Sequence, residues 1–375
     1  IKNTLQKSNP ISGNTCVILS NYMVLNHKEK MVISWICYLT GPITFLENIL
    51  VLVVIGSSAR LRQRPSYLFI GSLALADVLA SCFFPISFLA FHISNSCDSP
   101  KTYLLKLAGV TMAFTGSVGS LLLTAMDRYI CIHQAPNYKL LLTHRRATLA
   151  IVALWAVAIT ISFLPLMGWR CKRNTCSRLF PFIDQIYLCS WTGLLLAVLV
   201  FILMAYALIM WRAHQHEANM RTPQARNMTL GRQVRMRLDI HLAQTLGLIL
   251  LILVVCWLPV LSFMVVDVFQ QLTREQQRAF AFCCTLCLVN SAINPLLYAL
   301  RCRELRRAFM RLLGFTDRFR PWMVWLWSKG NITCIYNQGR GDGDGQTDNK
   351  ESNISAGSTS ESHARYDMRH NTCAI

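Results

Sequence analysis

The sequence predicts an all-α membrane protein: a bundle of seven transmembrane helices, then a short amphipathic eighth helix and a disordered C-terminal tail. Three observations carry that expectation. Seven apolar runs are each long enough, at roughly 20 helical residues, to cross about 30 Å of hydrocarbon. Their apolar residues recur with a helical period. Only 15% of the 375 residues are charged and 53% are apolar, with a mean hydropathy of +0.37. A soluble domain carries about a quarter charged residues, so this chain cannot solubilise its own surface.

Residues 1–30 are polar and read as an extracellular N-terminal segment with no cleavable signal, which leaves targeting to the first span. The spans read as 31–57, 66–91, 103–132, 147–168, 187–211, 241–266 and 279–300, and together make a domain over 31–300. Residues 301–315 read as the amphipathic helix and 316–375 as a cytoplasmic tail. From Gln338 the tail is rich in Gly, Ser, Asp and Asn and reads as disordered. Arg60, Arg62 and Arg64, then Lys139, Arg145 and Arg146, then Arg212 to Arg237, load the first, third and fifth linkers with positive charge. This bias puts those linkers and the tail in the cytosol and the N-terminus outside. Sequons at Asn227, Asn331 and Asn353 fall on the cytosolic side and are expected to be unused. The net charge of +19 is spread between apolar blocks, which favours anionic lipid headgroups as counterions and disfavours nucleic acid. Most of the 15 cysteines lie in apolar runs, where they act as small hydrophobes.

Polar residues inside the spans are costly and therefore informative. Asp77 sits mid-way along span two, with Asn48, Ser117, Asn290, Ser291 and Asn294 in other spans. Projected as helices, Asp77, Phe84, Phe88 and Phe91 share a face with His92 at its outer end. Lys106, Val110, Phe114, Ser117 and Arg128 share a second face, and Phe280, Cys284, Cys287, Ser291, Asn294 and Tyr298 a third. The outer half of each stripe is apolar and aromatic, the inner half polar. Any single aromatic there is more often core packing than a ligand contact, and Lys106 reads as a snorkelling lysine. Asp77, Ser117, Asn290 and Asn294 offer oxygens suited to a hard cation such as Na⁺; a protonated Asp77 among waters suits them equally. An enzyme is not expected. Asp77 and Asp127 lie at different depths, and Thr115-Gly-Ser-Val-Gly misses a nucleophile elbow by one residue. No lysine lies between Arg212 and Lys329, which excludes a retinal Schiff base in span seven. A transporter is disfavoured because internal repeats are missing.

Asp127-Arg128-Tyr129 closes span three. Cys256-Trp257-Leu258-Pro259 kinks span six, and Asn294-Pro295-Leu296-Leu297-Tyr298 closes span seven, with Trp155 in span four and Tyr206 in span five. In this order on seven spans, these motifs make residues 30–315 resemble the rhodopsin-like G-protein-coupled receptors. Val110 stands where amine receptors of that family carry an aspartate, and Tyr103 where most members carry a span-three cysteine. Cys171 and Cys176 lie five residues apart, a spacing suited to a local disulfide. With Pro65-Ser-Tyr-Leu-Phe-Ile-Gly-Ser-Leu-Ala and Leu164-Pro-Leu-Met-Gly-Trp169, the chain is similar to the cannabinoid receptors, the type 2 branch most closely.

The resemblance implies a ligand pocket lined by Phe84, Phe88, Phe91, His92, Val110, Thr111, Phe114, Phe180, Trp191, Trp257, Val260, Phe280 and Cys284. Cys284 departs from the serine expected in the type 2 branch. The implied ligand is an endocannabinoid-type lipid, with another bioactive lipid as the alternative. Also implied are a lock between Arg128 and Asp239 assisted by Asp127, and opening about Pro259 that frees Arg128 and Tyr206. The implied partners are a heterotrimeric G protein of the inhibitory class that lowers cAMP, and receptor kinases and arrestin at the Ser/Thr-rich tail. The location is the plasma membrane, and no cofactor is expected beyond an allosteric Na⁺.

Overall fold

The computed structural model describes residues 18–93, 98–134, 137–171, 176–220, 252–270, 272–301 and 305. Among them, seven helices are long and apolar enough to cross a bilayer. They are α1 (His27–Ser57), α2 (Pro65–His92), α3 (Pro100–His133), α4 (His144–Phe163), α5 (Gln185–Met220), α6 (Ile252–Phe269) and α7 (Arg274–Arg301). Isolated bridges pair Arg170 with Ile183 and Cys176 with Asp184 in the loop between α4 and α5. The amphipathic eighth helix, the tail, Asp239 and the first part of span six lie outside the described residues.

Local chemistry moves several ends away from the hydropathy limits. α1 begins at His27 and not at residue 31, because Asn26 and Glu29 form a capping box, the Asn26 amide donating to Glu29 Oε2 at 2.7 Å. Ser99 caps α3, its Oγ accepting from the Thr102 amide at 3.2 Å, and prolines at the first turn start α2 and α3. Thr143 caps α4 through the Arg146 amide. α4 stops at Phe163, five residues short of the expected 168, since Pro165 has no N–H to donate and the chain turns away through Gly168 at φ 125°.

α3 is the most buried of the seven helices and forms the axis of the bundle. A Cβ on Gly109 would stand 2.6 Å from the Phe83 ring, and one on Gly119 would collide with Leu154 Cδ1. Bare backbone at these two positions is what lets α2 and α4 approach. Trp155 Nε1 then donates to Ser72 Oγ at 3.1 Å, and Ser72 bonds Ser120 at 2.8 Å, which ties α2, α3 and α4 at mid-depth. Asn48 Nδ2 donates to the Thr44 carbonyl at 2.9 Å and the Ser291 carbonyl at 3.3 Å, holding α1 to α7. The outward faces of α1, α4 and α5 leave Trp35, Leu46, Leu149, Val152, Phe201 and Met204 exposed. Such a continuous apolar surface suits hydrocarbon and not water.

Candidate functional site

Between the outer halves of α2, α3, α5, α6 and α7 lies a cavity of about 150 Å³. Phe84, Phe88, Phe91 and His92 reach it from α2; Val110, Thr111 and Phe114 from α3; Trp191 from α5; Trp257 and Val260 from α6; and Phe280 and Cys284 from α7. Phe180 enters from the loop between α4 and α5. The structure thus gathers around one cavity all thirteen side chains expected at the pocket.

Their rings form a continuous wall. Centroid separations are 5.6 Å for Tyr103–Phe91, 4.7 Å for Phe91–His92, 4.4 Å for His92–Phe88, 5.7 Å for Phe88–Phe84 and 5.9 Å for Phe84–Phe114. Phe114 meets Trp257 edge-on at 5.3 Å, at the cavity floor two residues before Pro259. Such pairs add about 0.5–1.5 kcal/mol each beyond area burial. Two polar atoms in this wall, His92 Nδ1 and Trp257 Nε1, are buried with no hydrogen-bond partner among the described residues. An unsatisfied buried polar atom costs about 1–3 kcal/mol.

Hydropathy gave no sign of the cavity's outer wall. Tyr22 and Val24 border the cavity from the N-terminal segment. Tyr22 donates to the Ser177 carbonyl at 2.9 Å, and Arg278 Nε donates to the Val24 carbonyl at 2.9 Å. Burial raises the Tyr22 phenol above its usual range, so it remains a donor. Lys106 reaches out toward the span end, where Asp98, just before α3, accepts from its Nζ at 2.7 Å, and the pair borders the cavity. Cys171 and Cys176 form the expected disulfide.

Below the floor, Asp77 is fully buried. Ser117 Oγ donates to its Oδ1 at 3.1 Å and Asn294 Nδ2 to its Oδ2 at 2.9 Å, so α2, α3 and α7 meet there. Asn290 Nδ2 is buried without a partner among the described residues. The carboxylate and the Ser117 hydroxyl are oxygen donors of the kind a hard cation takes.

At the far end, Asp127 and Arg128 are buried together, their side chains 0% and 3% exposed. Arg128 Nε donates to Asp127 Oδ2 at 3.0 Å, and Nη2 donates to the same carboxylate and to Ser66 Oγ at 2.6 Å. Ser66 lies 3.4 Å from the Tyr138 hydroxyl, which donates to Asp127 Oδ1 at 2.7 Å and closes a ring of four side chains. Burial, and then the Asp127 charge, pushes the Tyr138 phenol up to about 12, so it stays a donor at neutral pH. Arg128 Nη1 is buried and has no partner among the described residues. Tyr129 stacks on His133 at 4.3 Å, and Ile209 of α5 packs against it. Tyr206 is half-buried on α5, Pro295 is buried within α7, and the Tyr298 side chain, like Asp239, falls outside the described residues.

Residues 47–298 match the family described as the 7 transmembrane receptor (rhodopsin family). The chain belongs to the rhodopsin family of seven-transmembrane receptors. Within this family it is similar to human cannabinoid receptor 2, at 47% identity over 288 residues, covering 77% of this chain and 79% of that protein. Similarity to cannabinoid receptor 1 of Xenopus laevis is 45% over 310 residues, covering 79% of this chain and 66% of the frog protein's length. Cannabinoid receptor 2 of Rattus norvegicus is 46% identical over 295 residues, covering 79% of this chain and 81% of that protein. The two branches are nearly level, so kinship to cannabinoid receptors is established without a choice of type. As a rhodopsin-family receptor the protein crosses the membrane seven times, signals through a G protein and is not an enzyme.

Proposed function

We propose that the receptor binds a neutral long-chain lipid of the endocannabinoid class, a fatty-acid amide or glycerol ester, and couples through an inhibitory G protein to lower cAMP at the plasma membrane. One observation carries this reading. The cavity is walled by aromatic rings, and the one acid on its described wall, Asp98, is already neutralised by Lys106. A cationic amine finds no anchor there. An acyl chain gains about 0.8 kcal/mol per buried methylene, and the aromatic wall from Phe84 to His92 supplies the apolar surface to bury it. Tritiated arachidonoyl ethanolamide is expected to bind saturably and to lower cAMP in cells expressing the full chain. Saturable binding of a hydrophilic amine with no lipid response overturns the reading. A panel of other bioactive lipids tests the alternative within the same class.

The Asp77 cluster, with Ser117, Asn290 and Asn294, is proposed to hold Na⁺ in the resting receptor. Raising Na⁺ at constant ionic strength should lower agonist affinity by about five-fold or more, the lower bound of an ordinary allosteric coupling. Asp77→Asn should abolish the dependence; equal sensitivity in both proteins refutes the site. Asp239 is proposed as a second restraint on Arg128, and the tail serines, Ser352 to Ser362, as kinase and arrestin contacts.

A further inference from the structure

Asp267 lies eight residues beyond Pro259, near the outer end of α6, and is 1% exposed. A buried carboxylate must find donors, and among the described residues those that donate to it come from the loop between α4 and α5. Ser177 Oγ donates to it at 2.5 Å, the Arg178 amide at 3.0 and 3.2 Å, and the Leu179 amide at 3.4 Å. Ser177 Oγ in turn accepts from the amides of Leu179 at 3.1 Å and Phe180 at 3.0 Å. Gln277 Nε2 of α7 donates to the Arg178 carbonyl at 3.0 Å. Three consecutive amides of one turn are therefore fixed, and the turn is pinned to two helices.

The turn carries Phe180 into the cavity, edge-on to Phe280 at 5.5 Å. Two residues on, Phe182 holds φ at 65°, a conformation a bulky residue keeps only where its surroundings over-determine it. The cavity, at about 150 Å³, is smaller than the roughly 300–1,000 Å³ of an ordinary small-molecule site. A long-chain ligand must part its walls, and the wall formed by a loop yields before those formed by helices. Whatever lifts Phe180 then pulls on the hydrogen bonds that end at Asp267.

We propose that Asp267 is a positioning residue that latches the Phe180 turn to α6, so that a ligand displacing the turn moves the outer half of α6. The proposal rests on the reading of the cavity as a lipid site. The ordinary alternative is a carboxylate that only caps a turn, with no effect on ligand exchange.

Two measurements on the purified full chain decide it. In ligand-free receptor, amide hydrogen exchange over Arg178–Phe180 should rise about tenfold or more in Asp267→Ala, as expected for the loss of bonds to a charged acceptor, and less in Asp267→Asn, which keeps one carbonyl acceptor. With tritiated arachidonoyl ethanolamide, Asp267→Ala should speed both association and dissociation by about tenfold, because a freed lid opens in both directions. Asp267→Asn and Ser177→Ala should fall between, and Asp267→Ala should also lower agonist-stimulated nucleotide exchange at saturating ligand. Wild-type amide exchange in Asp267→Ala overturns the latch, as does unchanged dissociation. Affinity lost through slowed association alone reports a collapsed cavity and also overturns it. If the wild-type receptor binds no lipid, the lipid reading fails, and the ligand-free exchange still decides the latch.

Discussion

Asp127→Ala is expected to destabilise the receptor by about 3–5 kcal/mol, the cost of leaving a buried charge without its partner. Arg128 is 3% exposed and its guanidinium loses the carboxylate that takes both Nε and Nη2. The Tyr138 hydroxyl loses its acceptor in the same step, so the loop after α3 is freed as well. Released from Asp127, the guanidinium can swing into the cytosolic cleft, which should raise basal nucleotide exchange. Asp127→Asn keeps an acceptor for Tyr138 and should show a smaller loss of stability with a similar rise in basal exchange. Thermal unfolding of the purified receptor together with basal exchange on a purified G protein checks both. Wild-type stability and wild-type basal exchange in Asp127→Ala would show that the buried ring restrains nothing.

Phe114→Ala should raise basal signalling at equal surface expression while lowering thermal stability. The edge-on contact with Trp257 is of a kind worth about 0.5–1.5 kcal/mol, or roughly two- to tenfold in a two-state population. Trp257 sits in the turn before Pro259, where the missing backbone hydrogen bond makes α6 compliant. The same substitution empties part of a packed floor, for which Phe→Ala typically costs about 3–5 kcal/mol. Phe114 already borders a cavity, so the lower end of that range applies. Phe114→Leu should recover most of the stability but not the ring contact, so basal signalling should remain high in it. Restoration of resting signalling by leucine would mean that volume, not the aromatic edge, holds the hinge.

The parts of this receptor that were legible in the sequence are those governed by helical period. Phe84, Phe88 and Phe91 repeat at helical spacing, and so do Val110 and Phe114, so projecting each helix places them on one face before any packing is known. Asp77 was legible for a different reason: a lone acid in an apolar run must be answered, and Ser117 and Asn294 answer it. What period could not reveal are contacts made by turns. Tyr22 meets Ser177 across 155 positions, and Ser177 meets Asp267 across 90, with no pattern in either segment. Tyr138 lies in a linker without periodic pattern, where the short helix Tyr138–Leu141 presents its hydroxyl to Asp127 of α3. The helix limits erred wherever a cap or a proline outweighed hydropathy, as at Asn26 and Pro165.

The outer wall built from Tyr22, Val24 and the Arg178–Phe180 turn bears on how the receptor senses dose. Tyr22, Val24 and the turn border the cavity on its outer side, and a lipid of the proposed class partitions into the membrane, so on that reading the bilayer is the reservoir with which the cavity equilibrates. Occupancy then follows the mole fraction of ligand among membrane lipids and not its concentration in the surrounding fluid. Diluting a fixed amount of ligand with extra vesicle lipid should empty the receptor even though the total added is unchanged. A cell could therefore tune its sensitivity by how much membrane shares the signal.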